Sequence, residues 1–144
     1  MFKKILFPID VDYPETAGAV YNKAAAIAKN FGAELRLISV MPGFGMPIVA
    51  SYISDELRQQ AYDRFEEALE KFFAENCDAP VDYEIKTGKH WQEIVNAADA
   101  WGADLIIVYH NRHREINEVF IVSCSQRVPD NDNCSVLRLR NIVG

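Results

Sequence analysis

The apolar positions of this chain fall into two alternating patterns. Lys4-Ile5-Leu6-Phe7-Pro8-Ile9-Asp10 and Asp104-Leu105-Ile106-Ile107-Val108-Tyr109 are short, almost continuously hydrophobic runs, the pattern of strands buried on both faces. Glu34 to Val40 reads as a second strand, and Cys134 to Leu139 closes the chain as a fifth. Val81, Tyr83 and Ile85 alternate with Asp82, Glu84 and Lys86; that period of two predicts a half-exposed strand at a sheet edge.

Between the strands the spacing turns helical. Asp12 and Pro14 supply helix-start chemistry, and Ala17, Val20, Tyr21, Ala24, Ile27, Ala28 and Phe31 recur at helical spacing up to Gly32. Met41 to Pro47 is too rich in Pro and Gly to continue the second strand. From about Ser54 a stripe of Leu57, Ala61, Phe65, Leu69, Phe72 and Phe73 predicts a long amphipathic helix whose charges form a solvated face. Trp91, Ile94, Val95, Ala98 and Trp101 mark another, stopped by Gly102, and a last helix fits Ile116 to Arg127 before the turn Asp130 to Asn133. Strands alternating with helices at this spacing imply right-handed crossovers and an open, doubly wound parallel sheet with helices on both faces. Ligands in such sheets bind past the carboxyl ends of the strands, where strand order reverses. Here that rim is Ile9-Asp10-Val11, Val40-Met41 and Val108-Tyr109-His110.

Length and composition change the picture little. The 144 residues, 49% hydrophobic, suffice for one α/β domain spanning the chain without metal or disulfide support. A net charge of -6 argues against nucleic acid or an anionic membrane as a partner. No run approaches a membrane span, and the apolar start is too short for a signal peptide. The three cysteines, Cys77, Cys124 and Cys134, form no CxxC pair and read as reduced thiols of a cytoplasmic protein.

Candidate chemistry is sparse. His110 and His113 lack a third ligand at metal spacing, and Asp130 to Asn133 lacks the Gly and Glu of a calcium loop, so no metal is expected. Ser123-Cys124-Ser125 has no nucleophile elbow around it. Asp10 is either a general base or ribose-orienting carboxylate, or the cap of the first helix or the neighbouring turn. No paired carboxylates or triad can be assembled, and no catalytic residue is assigned. In the last strand Val136, Arg138 and Arg140 share one face, and Ser135, Leu137 and Leu139 the other.

Four stretches together, KILFPID, AELRLISV, WGADLIIV and CSVLRLR, resemble the universal stress protein family in order and spacing along nearly the whole chain. The resemblance implies a Rossmann-like sheet of the adenine-nucleotide alpha hydrolase type, ordered 3-2-1-4-5. It also implies a homodimer pairing through the last strand, here Val136, Leu137, Arg138 and Leu139. Many members are similar in a phosphate loop, Gly-x2-Gly-x9-Gly-Ser/Thr, that binds ATP after the fourth strand. Placed on this chain, the three glycine positions hold Tyr109, Arg112 and Val122, and only Ser123 matches. Glycine lets backbone amides approach a phosphate closely, so this departure predicts a stress-response adaptor without a competent phosphate loop, without cofactor, acting through an unidentified protein partner.

A second reading stays open. Pro8, Ile9, Asp10, Val40, Val108 and Tyr109 resemble family positions that border the nucleotide, and the cationic loop His110-Asn111-Arg112-His113-Arg114 would hold ATP with Mg or another anion by side-chain forks. Slow ATP hydrolysis is the most that reading implies.

Overall fold

The structure, a computed structural model, describes residues 2–42, 54–78, 80–109 and 134–140. Strands β1 (Lys4–Pro8), β2 (Glu34–Pro42), β3 (Asp82–Gly88), β4 (Leu105–Tyr109) and β5 (Ser135–Leu139) pair in parallel in the order β3-β2-β1-β4-β5. The order and direction are those the sequence implies. Alternation sorts the strand side chains onto two faces. Ile5, Phe7, Leu105 and Ile107 pack with residues of α1 (Pro14–Phe31) and α2 (Asp55–Asn76), while Leu6, Ile38, Ile106 and Val108 pack with α3 (His90–Trp101). All five residues of β4 are buried, whereas β3, at the sheet edge, has none fully buried. The predicted helix over Ile116–Arg127 and the turn at Asp130–Asn133 lie outside the described residues.

Two helices end as their glycines predict. Gly32 and Gly102 have φ of 62° and 79°, left-handed conformations in which their amides turn back onto carbonyls of the last helical turn.

Three expectations are corrected. β2 runs through Met41 and Pro42, which pair with Thr87 and Gly88 of β3. The proline is tolerated because the register of β1 stops at Pro8 opposite Ile38, leaving this end of β2 with one neighbouring strand. Asp12 does not cap α1: Tyr13 holds that position without a side-chain hydrogen bond, and Pro14 opens the helix, where a missing amide proton costs nothing. Leu57, assigned to the buried stripe of α2, is 55% exposed. At about 1.5 Å per residue, the 22-residue α2 is roughly 33 Å long and outruns the strands beneath it; burial on the stripe is complete only at Leu69 and Phe72.

The start of β1 is held by a side chain from the approach to β4. Asp104 Oδ2 accepts a hydrogen bond from the Lys3 amide at 2.8 Å and Oδ1 one from the Lys4 amide at 3.1 Å. The Asp104 amide in turn donates to the Lys4 carbonyl at 3.0 Å. Lys4 Nζ then reaches the Trp101 carbonyl at 3.2 Å. Removing the carboxylate leaves two strand amides without their partner, so Asp104→Ala is expected to lower unfolding free energy by about 1–3 kcal/mol. Asp104→Asn, which keeps one acceptor, should lose less. Urea denaturation with an unchanged slope checks both.

Candidate functional site

β1 is flanked by β2 on one side and β4 on the other, so the chain reverses its winding at the β1/β4 junction. Beyond β1 the backbone is pinned from both neighbours. The Ile9 amide donates to the Ile38 carbonyl at 2.9 Å, and the Ile9 carbonyl accepts from Ser39 Oγ at 3.0 Å. On the β4 side, the Asp10 amide donates to Tyr109 Oη at 3.1 Å. Asp10 Oδ1 accepts from the Asp12 amide at 3.1 Å, and the Tyr13 amide donates to the Asp10 carbonyl at 3.2 Å. Of the two roles open to Asp10, the geometry displays the turn cap.

Pro8, Ile9, Asp10, Val40, Val108 and Tyr109 thus meet at the carboxyl ends of β1, β2 and β4, but not on one wall. Val40 and Val108 are buried in the core facing α3, and Ile9 and Tyr109 in the core facing α1 and α2. Tyr109 is only 7% exposed and its ring centroid lies 5.7 Å from that of Phe7. A phenol, anchored by core packing and capped by the Asp10 amide, therefore spans the junction. Arg112, Val122, Ser123 and the cationic loop His110 to Arg114 lie outside the described residues, as does Cys124. Among the described residues no group of three His, Cys, Asp or Glu side chains is placed to hold a metal ion.

Two residues, one at each end of β1, were not singled out from the sequence. Ser39 is 1% exposed and ties β2 to the chain leaving β1; the available signal was one hydroxyl inside the apolar run Leu37 to Met41. Asp104 carried a weaker one, a carboxylate immediately before a wholly buried strand.

Among the described residues the edge strand β5 pairs with β4 alone. Val136 packs toward the α3 core and Leu139 toward the opposite one, both half-buried, while Leu137 is 37% exposed and Arg138 is exposed. Both faces of this strand are therefore partly wet. Cys77 and Cys134 are free thiols. Burial, followed by hydrogen bonding to Cys77, raises the Tyr21 phenol. Burial is also the main cause raising Cys77, opposed by that same bond. Burial, then the charges of Asp99 and Asp104, pushes the Cys134 thiol up to about 11.

A doubly wound parallel sheet with a rim at the β1/β4 junction defines a class of α/β binding folds. The sequence matches the model of the universal stress protein family over residues 1–140, and the chain belongs to that family. It is 31% identical to universal stress protein MJ0531 of Methanocaldococcus jannaschii, the match covering 95% of this chain and 81% of that one. Among solved structures it is similar to hypothetical protein MJ0577, with a TM-score of 0.65 and 26% identity over 100% of this chain and 99% of that one. It resembles in fold the UspA of Lactobacillus plantarum, with a TM-score of 0.62 and 23% identity over 96% and 98% of the two chains. A universal stress protein in complex with cAMP is similar in fold, with a TM-score of 0.52 and 18% identity over 96% and 97%. Among the described residues no helix is long and apolar enough to cross a membrane.

The raised thiol has a pH signature. A neutral thiol is favoured in the folded state, so the stability from Cys134 is complete below its ordinary value of 9.0 and is lost as pH rises through about 11. Urea midpoints of the wild type should therefore fall across that window more steeply than those of Cys134→Ala. Parallel curves would remove the assignment.

Proposed function

We propose that this universal stress protein is a cytoplasmic, dimerising stress-response adaptor that works through a protein partner and lacks a competent triphosphate cradle. One observation carries the reading: the first glycine position of the family's phosphate loop holds Tyr109, whose hydroxyl is 3.1 Å from the Asp10 amide. Where a glycine would present bare backbone to a phosphate, β4 presents a packed phenol, and the Asp10 amide is already engaged. Arg112 and Val122 replace the other two glycines, which adds bulk and, at Val122, a β-branched side chain that resists positive φ. Efficient catalysis is no part of this reading.

A second reading draws on the family member solved in complex with cAMP. In it the arginines and histidines of the loop from His110 to Arg114 hold a nucleotide phosphate through side chains. Calorimetric titration with ATP and Mg²⁺ separates the two. The adaptor reading expects no heat at millimolar ligand, and micromolar affinity would overturn it. Restoring Arg112→Gly and Val122→Gly together with Tyr109→Ala should create affinity, provided circular dichroism finds the fold intact after loss of the Phe7 contact.

The dimer part has its own measurement. Pairing through β5 would bring Val136, Leu137, Arg138 and Leu139 to the two-fold axis, with the arginines repelling their copies unless an anion or acidic groups lie between. Sedimentation equilibrium should report a dimer that Leu137→Glu converts to monomer; a monomeric wild type would contradict this part alone.

A further inference from the structure

The edge of the sheet opposite β5 carries a surface unrelated to the nucleotide crevice. Among the described residues β3 pairs only with β2, and its outer edge carries no strand. Tyr83 projects from it toward α2, with its ring centroid 4.9 Å from that of Phe73 and its hydroxyl donating to Glu66 Oε1 at 3.5 Å. Tyr62, Glu66 and Glu70 follow one another at single-turn spacing on α2. Tyr62 and Tyr83 remain 36% and 38% exposed. Burial, then the charges of Glu66 and Glu70, raises the Tyr83 phenol, which puts both carboxylates in electrostatic reach of its ring.

This pair of acids is unusual in its setting. Carboxylates one turn apart repel by about 0.2–0.5 kcal/mol, and neither Glu66 nor Glu70 has a cationic partner among the described residues. The helix as a whole reinforces the field: Asp55–Asn76 carries seven acidic and three basic side chains, a balance of -4 within a chain of -6. Two aromatic side chains beside carboxylates that have no cationic partner among the described residues recognise a guanidinium on both counts, by cation–π contact and by charge. An open strand edge beside them suits an extended backbone.

We propose that the notch between α2 and the edge of β3, formed by Tyr62, Glu66, Glu70 and Tyr83, docks an extended arginine-bearing segment of a partner protein. The guanidinium lies against the two tyrosine rings and replaces the missing counter-charge of Glu66 and Glu70. The site is independent of whether the crevice at Asp10 and Tyr109 binds a nucleotide.

A fluorescently labelled peptide of alternating arginine and threonine, and the same peptide with citrulline for arginine, test this on the full chain by anisotropy. The arginine peptide should bind and the citrulline peptide should not. Glu66→Gln with Glu70→Gln, and separately Tyr62→Ala, should each weaken binding by about tenfold, while the charge-matched Glu15→Gln with Glu75→Gln should change it by less than about twofold. These positions are exposed or half-buried, so the variants are expected to fold. Equal weakening in both charge-matched pairs would reduce the effect to bulk acidity and overturn the proposal, as would absence of binding to the wild type.

Discussion

The β1/β4 junction is the seam on which the rest of the sheet is hung, because only there do the two halves of the fold meet. Its ladder is short: Ile5 opposes Leu105 and Leu6 opposes Ile106. Side chains extend it at both ends. Asp104 grips the amides of Lys3 and Lys4 before β1, and Tyr109 takes the amide of Asp10 after it. All three bonds come from the β4 side and satisfy donors at the ends of β1 that would otherwise face solvent or a void. A doubly wound sheet binds ligands at such a seam because its loops part there; in this chain the parting is bridged by a phenol.

How much of this was legible follows from what each residue type can signal. The apolar runs at Ile5 and Leu105 and the alternation at Val81 carry strand burial directly in their period, and Gly32 and Gly102 mark helix ends by a conformation that other residues resist. These gave the alternating α/β architecture, whereas the strand order came from the family resemblance. The continuation of β2 through Pro42 was hidden because local breaker chemistry says nothing about how many neighbours a strand has at each end. Ser39 and Asp104 were hidden for a related reason: their partners, Ile9 and the Lys3–Lys4 amides, are distant in sequence, and no local pattern announces them. The rim residues on β1, β2 and β4 were named from the switch-point rule and the family resemblance, and their division between the two cores needed the three-dimensional register.

The second face shows how a half-wet edge is made compatible with a packed centre. Arg36 on β2 lies over the Trp101 ring at 4.4 Å and faces Glu84 of β3 at 3.9 Å, with Lys86 at 4.0 Å from the same carboxylate oxygen. Lys4 approaches Trp101 at 5.5 Å. The tryptophan thus screens the apolar interior while offering its π face to two cations. The other oxygen of Glu84 is buried without a hydrogen-bond partner among the described residues, so long pairs at the rim compensate this carboxylate only in part. Charged residues here also discourage pairing along the sheet face, and they leave the open edge of β3 selective by charge.

Tyr109 joins the seam to the far edge by packing rather than by polar contact. Its ring neighbours Phe7, Phe7 neighbours Tyr21 at 6.5 Å, Tyr21 neighbours Phe72 at 6.0 Å, Phe72 neighbours Phe73 at 6.3 Å, and Phe73 neighbours Tyr83. An aromatic at residue 109 is therefore part of the core that seats α2, and removing it would open the crevice and leave a cavity in the same step. Large-to-small changes at such positions cost about 3–5 kcal/mol, a sizeable share of the roughly 5–15 kcal/mol that holds a domain together. That coupling gives a physical reason for the phenol to persist: a smaller residue at position 109 would require the aromatic core behind it to be refilled.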